Sequence, residues 1–293
     1  MHKYLRAVGF SKYKTRDEIQ SLIVNSIKYA EKKCYASYEN DALYAEYCKC
    51  YGQRIGICVR GEYDDAGKFI YDYMFPYLEG KGISTTEDIT MERHIEKVSY
   101  AGIVDDYNLG TSIIFYLQNI VPYLKYDKNN RLPVKGTSVT FSALSTKGTI
   151  LFPIEKNEID KSKANELNMR TARMRVEARN GNAKAIENLT LQDIDISTVI
   201  HKKILEEDLY SLVDTSFMPY GVECDLYSIL GEITSVEKVV NEITKEEIYN
   251  MTLDVSGVIF DLAINAMDLM GEPLEGRRFK GIVWLQGYIN FPE

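Results

Sequence analysis

The sequence predicts an α+β fold: an N-terminal α+β unit, a central helical segment, and a C-terminal antiparallel sheet that curls or closes into a small barrel. Three observations carry this expectation. Near the end of the chain, Phe279, Gly281, Val283, Leu285, Gly287, Ile289 and Phe291 alternate with Lys280, Ile282, Trp284, Gln286, Tyr288 and Asn290. That is the period of two of a long strand. Residues 161–180 contain neither Pro nor Gly, place Ala164, Leu167, Thr171, Met174 and Ala178 on one stripe, and stop at Gly181, as a helix does. From position 208 onward, short apolar segments recur at 209–213, 222–233, 236–240, 248–255 and 258–265, the spacing of an antiparallel sheet or small barrel.

Taken in order, the chain opens with a capping box, Thr15-x-x-Glu18, followed by Ile19, Leu22, Ile23, Ile27 and Ala30 at helical spacing. Alternation then predicts strands between 34 and 77, the last ended by Pro76, and two more between 89 and 104. Residues 109–125 fit either a helix or a buried strand pair. Residues 137–143 and 149–154 predict a hairpin around Ser145-Thr146-Lys147-Gly148. Further helical pieces are expected at 182–188 and 190–205, and Gly281 and Gly287 predict a closing strand that bends or admits a close neighbour. The expected organisation is therefore an N-terminal domain over 1–155, a helical connector over 156–206 and a β-rich domain over 207–293.

With 45% hydrophobic and 27% charged residues in 293, the composition is that of a globular protein with a sizeable core. No apolar run approaches the roughly 20 residues that span a bilayer, and the first residues lack an export signal. A cytoplasmic location without membrane association is the expectation. A net charge of -8 disfavours nucleic acid. The arginines at 170, 173, 175 and 179 are interrupted by Glu166 and Glu177, which reads as intrahelical pairing. The five cysteines form no Cys-x-x-Cys pair and read as reduced, mostly buried thiols; Cys48 and Cys50 share a strand face, too few ligands for a metal site. The 22 tyrosines suit cross-strand packing, with an aromatic-lined groove as the sharper alternative.

Two constellations stand out chemically. Glu92 and His94, two apart on a strand, share a face, and a hairpin ending at Asp105 and Asp106 would add carboxylates, enough for metal-assisted hydrolysis. The competing reading is a solvated strand face. In the second, the loop 265–278 holds Asp268 and Glu272 beside Arg277 and Arg278, whose guanidinium forks suit an anionic or sugar ligand. Gly271, Pro273 and Gly276 favour a structural ion-pair network there instead. There is no Gly-x-Ser-x-Gly turn, phosphate loop or Gly-x-Gly-x-x-Gly fingerprint.

The closing stretch 268–291, together with Phe217-Met218-Pro219-Tyr220-Gly221-Val222-Glu223-Cys224-Asp225 and Ala178-Arg179-Asn180-Gly181-Asn182, resembles a bacterial family, mainly of anaerobic Firmicutes, classed as a domain of unknown function. The resemblance runs from the first residues over nearly the whole chain. It implies a cytosolic bacterial protein and brings no activity, cofactor or catalytic residue with it. The resulting expectation is a non-enzymatic protein binding a small ligand or a protein partner through a cleft between its halves. The alternative is a metal-assisted hydrolase using Glu92, His94, Asp105 and Asp106.

Overall fold

A computed structural model describes residues 3–37, 43–93, 99–106, 109–128, 136–153 and 213–292, with isolated positions between 174 and 187. Four strands, β1 (Lys32–Ser37), β2 (Leu43–Gly52), β3 (Ile55–Tyr63) and β4 (Phe69–Leu78), form an antiparallel sheet in chain order. The helix α1 (Arg16–Lys28) precedes it, and the capping box is present in both directions between Thr15 and Glu18. The Ser26 hydroxyl of α1 meets that of Tyr51 at 2.8 Å, fastening the helix to the face opposite the thiols. Pro76 lies inside β4 opposite Ile57 and does not end it. As an edge strand, β4 loses no ladder bond there, and the Pro76 carbonyl accepts from Gln286 Nε2 at 2.9 Å.

The larger sheet contains β5 (Ile89–Arg93), β6 (Tyr100–Asp106), β7 (Thr111–Leu117), β8 (Ser138–Leu151), β9 (Ser216–Pro219), β10 (Leu226–Val240), β11 (Glu247–Val255), β12 (Val258–Asn265), β13 (Leu269–Met270) and β14 (Arg278–Asn290). Between β7 and β8 runs the helix α2 (Ile120–Lys128), so 109–125 holds a single strand followed by a helix, neither one helix throughout nor a strand pair. Five of these strands close a ring: β8 pairs parallel with β12 and antiparallel with β14, while β12, β11, β10 and β14 pair antiparallel in turn.

This ring corrects the expected fold class. Among the described residues the protein is mostly β, 56% strand and 16% helix, around a closed five-stranded barrel, not an α+β protein with a central helical segment. The expected helices at 161–180, 182–188 and 190–205 fall outside the described residues, apart from a few single positions. The expected hairpin around 145–148 is also replaced. β8 runs through it as one strand of 14 residues, paired with β14 on both sides of the stretch, and the Ser145 hydroxyl donates to the Ile282 carbonyl of β14 at 2.9 Å. A register shift between Gly281 and Val283 sits opposite this point and bends the pair, as a bulge does.

The closing strand behaves as its alternation predicts. Phe279, Val283, Leu285 and Ile289 enter the barrel core with Phe141, Ile229, Leu253, Phe260 and Leu262. Trp284 on the other parity joins a second core with Tyr4, Tyr116, Phe75, Ile57 and Leu22. The second core fills the space around the four-stranded sheet. At its centre Arg60 and Glu46 are both buried, with Glu46 Oε1 2.6 Å from Arg60 Nη2. Arg60 Nη1 donates to the Tyr73 and Tyr116 hydroxyls at 2.7 and 3.0 Å, and Nη2 donates to the Leu117 and Gln118 carbonyls. Burial lowers the Arg60 pKa, but Glu46 and the tyrosines outweigh it and hold the pKa well above the usual arginine value.

Candidate functional site

The residues expected to form a hydrolase are not drawn together where they are described. Glu92 pairs with Ala101 in the β5–β6 ladder, so Asp105 lies four residues further along β6, roughly 13 Å away at strand rise. Glu92 and Asp105 are exposed, and Asp106 is buried. Asp105 accepts the Ser112 hydroxyl, and Asp106 accepts the Leu109 amide at 2.9 Å. His94 lies outside the described residues. Among the described residues no group of three His, Cys, Asp or Glu side chains is placed to hold a metal ion.

The loop before β14 brings together only part of its predicted set. Arg277 Nη1 donates to the Glu272 carbonyl at 2.8 Å, its guanidinium stands 3.8 Å from the Glu272 carboxylate, and it covers the Phe152 ring at 5.6 Å. Asp268 is turned away, held in a two-pronged pair by Arg6. Arg278 is buried in β14 and donates to the Phe152 and Val213 carbonyls at 3.0 and 2.8 Å. Burial lowers its pKa against the opposing pull of Asp214. These bonds fasten chain segments to one another.

A cleft absent from the sequence-based candidates lies where the chain start meets β14. It has a volume of about 340 Å³ and is lined by Lys3, Tyr4, Glu223, Asp225 and Trp284, which puts it at the lower end of the ligand-site range. Each wall has a local cause. Lys3–Val8 forms a single 3-10 segment that buries Tyr4 and Leu5 while leaving Lys3 exposed. The turn after β9 carries Glu223 and Asp225 towards β10, where the Asp225 carbonyl accepts the Leu285 amide at 2.9 Å. Trp284 stands on the outward parity of β14.

The Tyr4 and Trp284 rings stack at 5.3 Å with 25° between planes, and the Trp284 indole N–H donates to Asp225 Oδ2 at 2.7 Å. Lys3 places its ammonium 5.1 Å from the centre of the Tyr4 ring and 3.5 Å from Glu223. Burial, and then the fields of Glu223 and Asp225, push the Tyr4 hydroxyl's pKa far up. From Trp284 the rings continue inward through Tyr116 at 5.1 Å to Phe75 at 5.0 Å, which lies under the Arg60 guanidinium.

The signals for this cleft were present but scattered. Trp284 is the chain's single tryptophan, and Glu223-x-Asp225 is a short acidic pair. Nothing in the spacing joins either of them to the first residues of the chain.

Fold and cleft together define a mostly β protein with an aromatic-floored, acid-walled pocket on the outside of a closed barrel. The chain belongs to the family described as "Domain of unknown function, E. rectale Gene description (DUF3881)", which matches residues 5–287. No curated protein and no solved structure matches it.

Proposed function

We propose that this is a binding protein whose ligand carries an ammonium group, received in the cleft of Tyr4, Glu223, Asp225 and Trp284. The observation that carries the reading is the position of the protein's own Lys3 ammonium, set over the Tyr4 ring and beside Glu223. A cation over an aromatic face next to a carboxylate gains from the ring quadrupole and from the ion pair at once. A ligand ammonium would take that place, with Lys3 swinging out into solvent at little cost because it is exposed. Asp225, oriented by the Trp284 indole, supplies the second carboxylate of the wall.

The reading places the protein in the cytoplasm, in keeping with five free cysteines, which suit a reducing compartment. No helix among the described residues is long and apolar enough to cross a membrane.

Because Trp284 is the only tryptophan, its fluorescence reports on the cleft directly. Titration with primary and quaternary amines should give a saturable change that sodium chloride at equal ionic strength does not reproduce. The Glu223→Gln/Asp225→Asn double variant should weaken it at least tenfold. An unchanged spectrum throughout the amine titrations, or an equal response from the double variant, refutes the proposal.

A further inference from the structure

Four of the five cysteines share one face of the four-stranded sheet, the face turned to the barrel. In the β2–β3 ladder Cys48 stands directly opposite Cys58, and in the β1–β2 ladder Lys32 stands opposite Cys48, with Cys34 one diagonal step away. The Cys48 and Cys58 sulfurs are 3.0 Å apart. Directly opposed residues of an antiparallel pair have Cα atoms about 4.5–5.5 Å apart. That lies inside the roughly 4.4–6.8 Å that a disulfide spans. Cys50, on the same face, turns instead to the Tyr77 hydroxyl at 3.4 Å.

The pair has a route to solvent. A cleft of about 60 Å³ between this sheet and the barrel is lined by Lys32, Cys48, Cys58, Phe75, Tyr77 and Glu79, with Gln118 and Tyr288 across from them. Cys48 is half-buried in its wall and Cys58 is buried behind it. The space is far below the few hundred Å³ of an ordinary ligand site, but it suffices for a reagent of two or three heavy atoms. Lys32, its ammonium paired to Glu79 at 2.7 Å across the lip, supplies positive charge on the Cys48 side.

We infer that Cys48 and Cys58 form a reversible redox site, in which a small hydroperoxide oxidises the two thiols to a cross-strand disulfide. The Cys48 thiolate attacks the outer oxygen; an S–O bond forms, the O–O bond breaks, and the departing alkoxide takes up a proton. The sulfenic acid on Cys48 is then attacked by the Cys58 sulfur, the S–S bond forms, and hydroxide leaves with the Cys58 proton as water. Two thiols and one hydroperoxide give one disulfide, one alcohol and one water, a two-electron oxidation of the protein. Burial, reinforced by the neighbouring Cys48, raises the pKa of the Cys58 thiol. The order of events follows: the accessible sulfur reacts first and the enclosed one resolves it.

The test uses the full-length protein and hydrogen peroxide, followed by alkylation under denaturing conditions and peptide mapping. The expected result is loss of two of the five thiols, a peptide linking Cys48 to Cys58, and return of both thiols on reduction. Cys48→Ser should abolish the linked peptide while Cys50→Ser leaves it intact. Cys58→Ser should leave a sulfenic acid on Cys48, trapped by a dimedone reagent. If that variant does not fold, the Cys48→Ser and Cys50→Ser comparison decides alone. A linkage through Cys34, Cys50 or Cys224, or oxidation of Cys224 with Cys48 and Cys58 both still free, overturns the inference.

Discussion

The barrel interior and the layer between barrel and four-stranded sheet bury similar kinds of surface but are organised on opposite principles. Inside the barrel, one parity of each strand supplies apolar side chains such as Phe141, Ile229, Leu253, Leu262 and Leu285, all essentially inaccessible to solvent. The layer outside it adds polar groups: the Arg60–Glu46 pair, the Tyr73 and Tyr116 hydroxyls, and the thiols. An apolar core tolerates any arrangement that fills its volume. A buried ion pair tolerates only the arrangement that satisfies it. The barrel therefore supplies bulk stability, and the polar layer sets the angle and register at which the small sheet docks.

The largest effect that breaks this comparison is expected from Arg60→Met. Methionine fills much of the volume but leaves the Glu46 carboxylate buried with no cation, along with the Leu117 and Gln118 carbonyls and two tyrosine hydroxyls that Arg60 serves. Removing one partner of a buried pair costs about 3–5 kcal/mol, measurable as a lowered denaturation midpoint. Adding Glu46→Leu to Arg60→Met should recover most of that loss, since an apolar replacement of a whole pair is often neutral. A double variant as unstable as the single one would show that the layer depends on its volume and not on its charge.

A smaller loss is expected in the barrel from Gly287→Ala. Gly287 sits on the inward parity of β14, and a Cβ there would run into the Phe115 ring. The same ring also covers Gly102 of β6, so it has little room to retreat. Overpacking of this kind costs about 1–3 kcal/mol. Pairing the variant with Phe115→Leu should relieve the clash. If it does not, the need for glycine arises from the backbone of β14 and not from its neighbour.

How much of this was legible in the sequence follows from the same contrast. The alternation in β14 showed which residues face inward, because strand parity is a local property, and Gly287 was marked as a close approach for the same reason. The continuity of β8 was hidden: Ser145 and Gly148 are turn-forming residue types, and the bond from Ser145 to the Ile282 carbonyl comes from a strand distant in sequence. With 137–154 read as a hairpin of an N-terminal unit, the place of β8 in the ring, between β12 and β14, was missed. The cleft at Tyr4 and Trp284 joins opposite ends of the chain, which no periodicity reports. The Cys48–Cys58 pairing was nearer to hand, since a turn centred on Gln53 sets 48 against 58. The sequence reading instead set Cys48 beside Cys50, its neighbour on the same strand.

The smallest effect, and the one that most sharpens the comparison, is expected from the tyrosines around Arg60. Arg60 Nη1 reaches both the Tyr73 and Tyr116 hydroxyls, and these two hydroxyls also meet each other at 2.8 Å. Tyr73→Phe removes one acceptor and leaves the other in place, so the loss should stay near about 0.5–1.5 kcal/mol, the net worth of one hydrogen bond. Tyr116→Phe should cost a similar amount. In Tyr73→Phe/Tyr116→Phe the Nη1 group loses both acceptors and is left buried and unsatisfied. The double loss should then exceed the sum of the singles by about 0.5–3 kcal/mol, the range of coupling seen within one polar network. Strict additivity in a thermodynamic cycle would mean that the hydroxyls act independently. The polar layer would then be held by ring packing alone, as the barrel interior is, and the contrast between the two regions would vanish.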